Sequence, residues 1–534
     1  MLAVIGCSPA DVERPWLEDA TGQSGIQFIH DTGPTGRYLV PEQMGSGAAL
    51  FDYDNDGRLD IYLVHNAGTN ANRLFHQEPN GTFKDVSVGS GLDVAGYGMG
   101  VAVGDVNNDG LPEVLVTEYG AVRVFINRGS GKFMESKDSG LDNPRWATSA
   151  AFFDFNRDGW LDLVVANYLD YDPTQKCTDS KRAPEFCGPH GFPGLVTRLF
   201  QNKGGRFEDV TVASGLARSR GPALGVLCAD FDGDYWPDIF LADDGRPNRL
   251  FINKRDGTFA EEAGTRGIAL NALGQTAGNM GVAIGDVDGN GLFDLFVTHL
   301  AEEHHALWTQ DRRGFFQDAA AGWGFTKQGW RGTGFGAAFA DFDLDGDLDL
   351  AFVNGRVKRG ATGGPVAPGV NPFWAPYAQR NQIFANQGRE FRDISSANAA
   401  FCGQAMVGRS LAVGDLDNDG DLDLVTTSTG GPAKIYRNTA ERKGHWLIVR
   451  VIDPTLGGRD AYGAEVNVHA GGHRHWRLAH PAFSYLCSND PRVHFGLGTA
   501  ASFDAIEVIW PDATKETFPG GRADRMIELR KGAR

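Results

Sequence analysis

One nine-residue pattern, D-x-[DN]-x-[DN]-G-x-x-[DE], recurs seven times along this chain, starting at Asp52, Asp105, Asp154, Asp230, Asp286, Asp341 and Asp415. Self-similarity at a fixed period marks a repeat architecture, in which no single unit buries a core alone. Consecutive starts lie between 49 residues (Asp105 to Asp154) and 76 residues (Asp154 to Asp230) apart, which sets a basic unit of about 50 residues, with two units enlarged. A unit of that length suits a four-stranded propeller blade. Each copy follows a short apolar strand (GAALFD, GVAVGD, SAAFFD) and precedes another (LDIYLV, PEVLVT, LDLVVA). A third strand (NRLFHQ, TRLFQN, NRLFIN) and a fourth with an aromatic-x-acid signal (GTFKDV, GRFEDV, REFRDI) complete the unit. We label these strands A to D.

After the seventh copy only A, B and C appear, ending at AKIYRN. The missing D strand stands at the start of the chain, where WLEDAT from Trp16 matches FEDVT of the third unit. Pairing of the two ends closes the ring without an open sheet edge. The 72 glycines, 34 phenylalanines and only 7 methionines suit short strands and tight turns. The expected fold is all-β: a lead over residues 1–15, a seven-bladed β-propeller over 16–440, and a small β-sandwich-like module over 441–534. In that module WLIVRV, AEVNVHA, HRHWRL, VHFGL and AIEVIWP read as strands, with His473 and His475 on one strand face.

In each loop, positions 1, 3, 5 and 9 project oxygen side chains to one centre, position 7 offers a carbonyl, and glycine at 6 permits the turn. The expected ligands are Asp52, Asp54, Asp56 and Asp60 with the carbonyl of Arg58, and Asp105, Asn107, Asp109 and Glu113 with that of Leu111. Next come Asp154, Asn156, Asp158 and Asp162 with Trp160, then Asp230, Asp232, Asp234 and Asp238. The last three sets are Asp286, Asp288, Asn290 and Asp294 with Leu292; Asp341, Asp343, Asp345 and Asp349 with Asp347; and Asp415, Asp417, Asp419 and Asp423 with Asp421. Oxygen-only ligation selects a hard cation, and five or more protein oxygens in a pliable loop favour Ca2+ over Mg2+, up to seven ions in all. The fourth copy breaks the pattern, with Tyr235 where glycine belongs.

Two rival readings fail. An EF-hand needs Glu at position 12, where this chain has Leu63, Val116, Val165, Leu241, Val297, Phe352 and Thr426. Purely structural Asx turns would leave carboxylates about 4 Å apart repelling by roughly 4 kcal/mol per pair at an effective dielectric near 20. The formal charge of −18 excludes a nucleic acid or anionic membrane as partner, both of which need a basic face, and seven divalent ions would bring it to −4.

Cys177 and Cys187 close a short loop in a Pro-, Gly- and Lys-rich insertion, which points to a disulfide and an oxidising compartment. Cys228, in GVLCAD, reads as a core residue. Leu2 to Gly6 followed by Cys7 looks like the tail of a lipoprotein signal, making Cys7 a lipidation candidate, although the basic start and longer apolar run of such a signal are missing. No run of 18 apolar residues is present to span a membrane.

The loops and their flanks resemble the FG-GAP or VCBS repeats of integrin α-subunit propellers and their bacterial relatives. The opening FIHDTGPTGRYLVPEQMGSGAALFDYDNDGRLD and the closing DAYGAEVNVHAGGHRHWRLAHPAFSYLCSNDPRVHFGLG look like the cartilage acidic protein family, in which an ASPIC/UnbV module follows the propeller. Cys187, Gly188 and Pro189 also fit that family; Cys487 and the imperfect fourth loop are not carried over. The resemblance implies an extracellular or cell-envelope binding protein without assigned activity.

The metal loops join A to B, so B–C and D–A connections, and both large insertions, lie on the opposite face. Tyr168, Tyr171, Phe192, Phe373, Trp374 and Tyr377 are expected there as an exposed aromatic rim for a protein or glycan partner, the alternative being that these rings pack the insertions onto the disc. The same face collects His65, Glu118, Asp243, His299, Glu302, Glu303, His304 and His305, residue types able to bind metal or move protons. No G-x-S-x-G, H-E-x-x-H or phosphate loop occurs. The reading is an extracytoplasmic, calcium-loaded adhesion or scaffold module, not an enzyme. The alternatives are a lyase-like polysaccharide enzyme using the insertion face and a structural subunit of an envelope complex.

Overall fold

The computed structural model describes residues 14–66 and 69–533, so Cys7 and nearly all of the expected lead lie outside the described residues. Seven antiparallel four-stranded arrays follow one another along the chain, a β-propeller-type arrangement. The first runs Ala48–Phe51, Asp60–Leu63, Arg73–Gln77 and Phe83–Asp85. In the seventh array, Gly408–Gly414, Asp423–Ser428 and Lys434–Asn438 supply three strands and Leu17–Asp19 the fourth, with Leu17 opposite Asn438 and Asp19 opposite Tyr436. No helix among the described residues is long and apolar enough to cross a membrane.

Nearly every B-strand residue is buried on both faces, which explains unbroken apolar runs such as VLVT and LVVA in place of alternation. One core cluster joins the first and second arrays through Phe51, Tyr62, Val101 and Val114. Another joins the seventh and first through Val425, Ile435, Leu50 and Ile61.

The C-terminal region is two sheets packed face to face. One contains Trp446–Asp453, Val493–Gly496 and Arg525–Arg530; the other contains Ala464–Ala470, His473–Ala479, Ser502–Ile509 and Lys515–Arg522. Leu447, Val449, Val466, Val468, Phe495 and Ile506 fill the space between them.

Between these sheets the chain makes an excursion that no strand pattern announces. Residues 481–489 leave the module and run along the A strands of the repeat domain. Ser484 exchanges backbone hydrogen bonds with Val282, at 2.6 and 3.0 Å, and the Val101 N–H donates to the Leu486 carbonyl at 3.2 Å. The Ser484 hydroxyl accepts from the Ala337 N–H and donates to the Leu411 carbonyl. Cys487–Ser488 pairs in parallel with Ala48–Ala49, and Asn489 Oδ1 accepts from the Val413 N–H at 3.0 Å. One short segment thus satisfies edge groups on the first, second, fifth, sixth and seventh A strands, groups that buried backbone cannot leave unpaired.

Candidate functional site

All seven loops share one construction. The carboxylate at position 1 accepts from the N–H groups of positions 5 and 6, as Asp52 does from Asp56 (3.0 Å) and Gly57 (2.8 Å), and Asp415 from Asp419 and Gly420. Position 6 needs a left-handed backbone: Gly57 sits at φ +86, and in the fourth loop Tyr235 adopts φ +69 in its place. Position 9 has a second duty that the ligand pattern did not disclose. Its carboxylate ties the loop to strand C, as Asp162 accepts from the Phe155 N–H at 3.0 Å and the Asn202 N–H at 2.8 Å.

The repeated Asn ending strand C is the other half of this device, and its spacing in VRVFIN, TRLFQN, NRLFIN, NQIFAN and AKIYRN was the available signal. Its side-chain amide reaches the preceding loop: Asn127 to the Tyr53 carbonyl (2.8 Å), Asn202 to Val106 (2.7 Å), Asn253 to Phe155 (2.9 Å), Asn386 to Val287 (3.1 Å) and Asn438 to Phe342 (2.8 Å). Gln77 makes the corresponding bond from the first array to Leu416 of the seventh. At the fourth-to-fifth junction Arg313 takes over, donating to the Asp230 carbonyl at 2.9 Å.

The loop carboxylates crowd together. In six groups among the described residues, including Asp52–Asp54–Asp56 and Asp341–Asp343–Asp349, one ligand atom from each residue lies within 4.8 Å of the others, and in one of them, Asp54–Asp60–His76, an imidazole joins the carboxylates; Asp54 Oδ1 is buried with no hydrogen-bond partner. Burial, reinforced by neighbouring carboxylates, pushes Asp60 up to about 8 and Glu113 and Asp162 up to about 9. Burial likewise lifts Asp423 to about 8, against the pull of Arg437. Such groups need a proton or a cation. Converging carboxylate oxygens, an unpartnered oxygen and, beside the first loop, an imidazole that hydrogen-bonds Asp60 at 3.0 Å fit a hard divalent ion.

The loops differ in how far the protein's own bases meet that need. Among the described residues no Lys or Arg pairs directly with the acids of the second, third or fifth loop, each of which carries three carboxylates at its ligand positions. In the fourth loop Arg313 pairs with Asp230 (3.1 Å), Arg266 with Asp232 (3.2 Å) and Arg255 with Asp234 (2.7 Å), more bases than reach any other loop among the described residues, although Arg313 is shared with Glu465 and Arg266 with Glu262. Lys443 reaches Asp343 and Asp345 of the sixth loop, and Arg437 and Arg442 share Asp417, Asp419, Asp421 and Asp423 of the seventh.

The C-terminal sheets rest on this loop face. Arg459 donates to Asn108 Oδ1 (2.9 Å), Arg492 to Asn418 Oδ1 (2.6 Å) and the Asp415 carbonyl (3.0 Å), and Lys515 to the Tyr235 hydroxyl (2.8 Å). His475 lies close above Gly346 of the sixth loop, and its ring centre is 6.4 Å from that of His473.

On the opposite face the expected exposed aromatic rim is corrected. Tyr168, Tyr171, Phe192, Trp374 and Tyr377 are buried and Phe373 is half-buried. Trp374 stacks on Phe186 at 5.4 Å and the Tyr377 hydroxyl donates to Glu185 at 2.6 Å, which welds the sixth-unit insertion to the third-unit insertion. Tyr168 and Tyr171 pack edge-on against Trp146, at 5.0 and 5.6 Å. Rings of this size stabilise more as mortar between two loop-rich insertions than as solvated surface. Cys177 and Cys187 form a disulfide within the first of them, and Cys228 is buried in the core.

The titratable residues noted near the ends of B strands do not gather into one centre. Asp243 pairs with Arg249 at 2.6 Å, Glu118 with Arg123 at 3.5 Å, His65 Nδ1 accepts from the Asp31 N–H, and His305 Nδ1 from the His299 N–H. Glu302 and His304 are exposed to solvent, and Glu303 lines a cavity.

With this geometry in place, family models match three stretches as FG-GAP-like repeats (52–116, 105–165 and 230–297), residues 407–441 as an FG-GAP repeat, and residues 455–534 as ASPIC and UnbV. The chain is an FG-GAP repeat protein with an ASPIC/UnbV domain. It is 25% identical to cartilage acidic protein 1 of Xenopus tropicalis, over 88% of this chain and 71% of that protein. With cartilage acidic protein 1 of Mus musculus the identity is 24% over 93% and 76%, and with that of Homo sapiens 24% over 92% and 72%. The excursion over residues 481–489 therefore belongs to the ASPIC/UnbV domain, which serves as an inner lining of the FG-GAP domain as well as its cover.

Proposed function

We propose that the FG-GAP domain is a closed seven-bladed propeller, with the N-terminal strand completing its last blade. Its A–B loops carry Ca2+ beneath the ASPIC/UnbV domain, and its insertion face is offered to a protein or glycan outside the cytoplasm. The observation that carries this reading is the placement of the ASPIC/UnbV domain: it occupies the loop face and lines the A strands, so the loops serve stability and the opposite face is left for recognition. Asp52, Asp60 and their counterparts hold the ion; Arg58, Leu111, Trp160, Leu292, Asp347 and Asp421 lend carbonyls. Calcium supplies charge neutralisation and rigidity here.

Capture from extracellular or envelope extracts tests this. The calcium-loaded full chain is expected to retain a partner that a variant with Tyr377→Ala and Glu185→Ala, which unties the two insertions, does not. Equal capture by both chains, or capture lost only by variants on the loop face, would reject the assignment of faces.

A further inference from the structure

Beneath the disulfide-closed insertion the structure leaves a gap. Residues 186–189 of that insertion, Gln43 and Met44 of the short helix Pro41–Met44, and Asp244, Met280 and Glu303 from the fourth and fifth units enclose a cavity of about 140 Å3. Met44 is held there by its carbonyl, which accepts the hydroxyl of the fully buried Tyr485 at 3.0 Å.

Its polar wall is made of acceptors. Asp244 and Glu303 both line it, and neither has an ion-pair partner among the described residues. Asp244 Oδ2 accepts only the Tyr168 hydroxyl (2.5 Å), and Glu303 accepts the N–H groups of Gly278 (2.9 Å) and Leu300 (3.3 Å). Gln43, 2% exposed, adds a side-chain oxygen that is buried with no partner. Burial raises both carboxylic acids, Asp244 to about 6. The remaining wall is apolar, from Met44, Met280, Leu300 and Val357, while His190 and Lys358 stand at the exposed rim. Buried carboxylates are ordinarily paired, and a small number of placed polar groups in an apolar pocket is how ligand sites are built. Two unpaired carboxylates and an unpartnered amide oxygen in the wall of one largely apolar chamber match a cation on a short hydrocarbon body better than a bare metal ion, which would leave the apolar wall without a partner.

We propose that this cavity is a binding site for an alkylammonium group, with Asp244 and Glu303 pairing its charge and Gln43 accepting one of its N–H bonds. The site deepens the reading of the insertion face as the recognition face and rests on it. The group is supplied either by a free amine or by a lysine side chain of a protein.

The test is calorimetric titration of the calcium-loaded full chain with n-butylamine, n-butanol and CaCl2, and with a lysine-containing peptide and its Nε-acetyl form. Butylamine is expected to bind saturably and butanol not to compete. Asp244→Asn and Glu303→Gln should each weaken binding by roughly tenfold or more, and Val357→Trp, which fills the mouth without touching an acid, should abolish it. Tighter binding of the peptide than of butylamine assigns the group to a protein partner; the reverse assigns it to a small molecule; either supports the site. Equal affinity for butylamine and butanol, wild-type affinity in the folded variants, or displacement of the amine by Ca2+ overturns it. Failure here leaves the partner-capture result standing, whereas amine binding without capture rejects only the wider reading.

Discussion

Removing calcium should change how stability depends on pH, from about pH 4, where these carboxyls ionise in the unfolded chain, up to about pH 9. Asp60, Glu113 and Asp162 are 0% exposed and Asp423 is 2% exposed. With the ion absent they keep their protons to about 8, 9, 9 and 8, whereas in the unfolded chain such groups ionise near 4. A carboxyl whose native value is raised contributes stability at low pH and loses it as pH climbs through the native value. The unfolded state has already released its proton, so the slope is about 1.4 kcal/mol per pH unit for each proton retained. These four retained protons give about 5.5 kcal/mol per pH unit, to which Asp238, Asp294 and Asp349, also raised by burial, add, and a single retained proton remains measurable. Bound calcium holds the carboxylates ionised and removes the slope. Burial also raises Cys228, Cys402 and Cys487, but they contribute equally with and without the ion, so the difference between the two forms isolates the loops. The assay is the urea midpoint at pH 7.0, 7.5, 8.0 and 8.5 for chelated and calcium-saturated protein, with the m-value confirming the same transition. A chelated midpoint that falls no faster than the calcium-loaded one would refute the claim that these carboxylates are the ion's site.

Other perturbations separate the remaining parts of the argument. In the calcium-loaded form stability should fall between about pH 6.5 and 4, because burial depresses His65, His299, His475, His480 and His494 to about 4, and the unfolded chain takes up protons first; a flat calcium-loaded urea midpoint over that range would contradict this. Elemental analysis after dialysis against micromolar Ca2+ should find six ions per chain, not seven, with the fourth loop the weakest because Arg313, Arg266 and Arg255 already pair three of its four acids, and Arg266→Ala should restore the seventh. Asn202→Ala should cost about 3 kcal/mol, since it strands the buried carbonyls of Val106 and Leu161; an unchanged urea midpoint would show that the inter-blade amide bonds are incidental. Tyr485→Ala should lower the melting temperature of the FG-GAP and ASPIC/UnbV domains in one transition, and two separate calorimetric peaks would show that the lining segment does not couple them.

Most of the fold could be read directly because the repeat supplies its own controls. Seven aligned copies separate what the loop requires, Asp at position 1 and an acid at position 9, from what varies, and the A–B–C–D order then follows from four flanking patterns. WLEDAT was assignable to the last array because the third unit contains its near copy. The aromatic residues of the insertions had no such control. Periodicity distinguishes inside from outside along a strand, but an irregular insertion has no period, so Trp374 and Tyr377 could not be placed against Phe186, which lies about 190 residues earlier in the chain. The same blindness hid Asp244 and left Glu303 as one acid among several near the ends of B strands, since their shared cavity arises only when two units and an insertion converge.

The segment HPAFSYLCSND was legible as a resemblance and illegible as a structure, for a physical reason. A lining strand need not alternate, because it is buried on all sides, and it has to be polar where it meets several edges at once. Ser484 and Asn489 look like turn residues in isolation, yet each does what a ladder partner would do for an A strand in a different array. This makes the ASPIC/UnbV domain a template for the ring as well as its cap: arrays that never touch each other are held by one backbone. Arg409 shows the consequence. It is fully buried, its guanidinium lies 3.9 Å from the Phe335 ring centre, and it donates to the carbonyls of Gln43, Gly355 and Gly408 with no carboxylate in reach. A cation in that position is tolerable only while the carbonyls around it are fixed. Tyr485, whose ring stacks edge-on against Phe335 at 5.0 Å, helps to fix them.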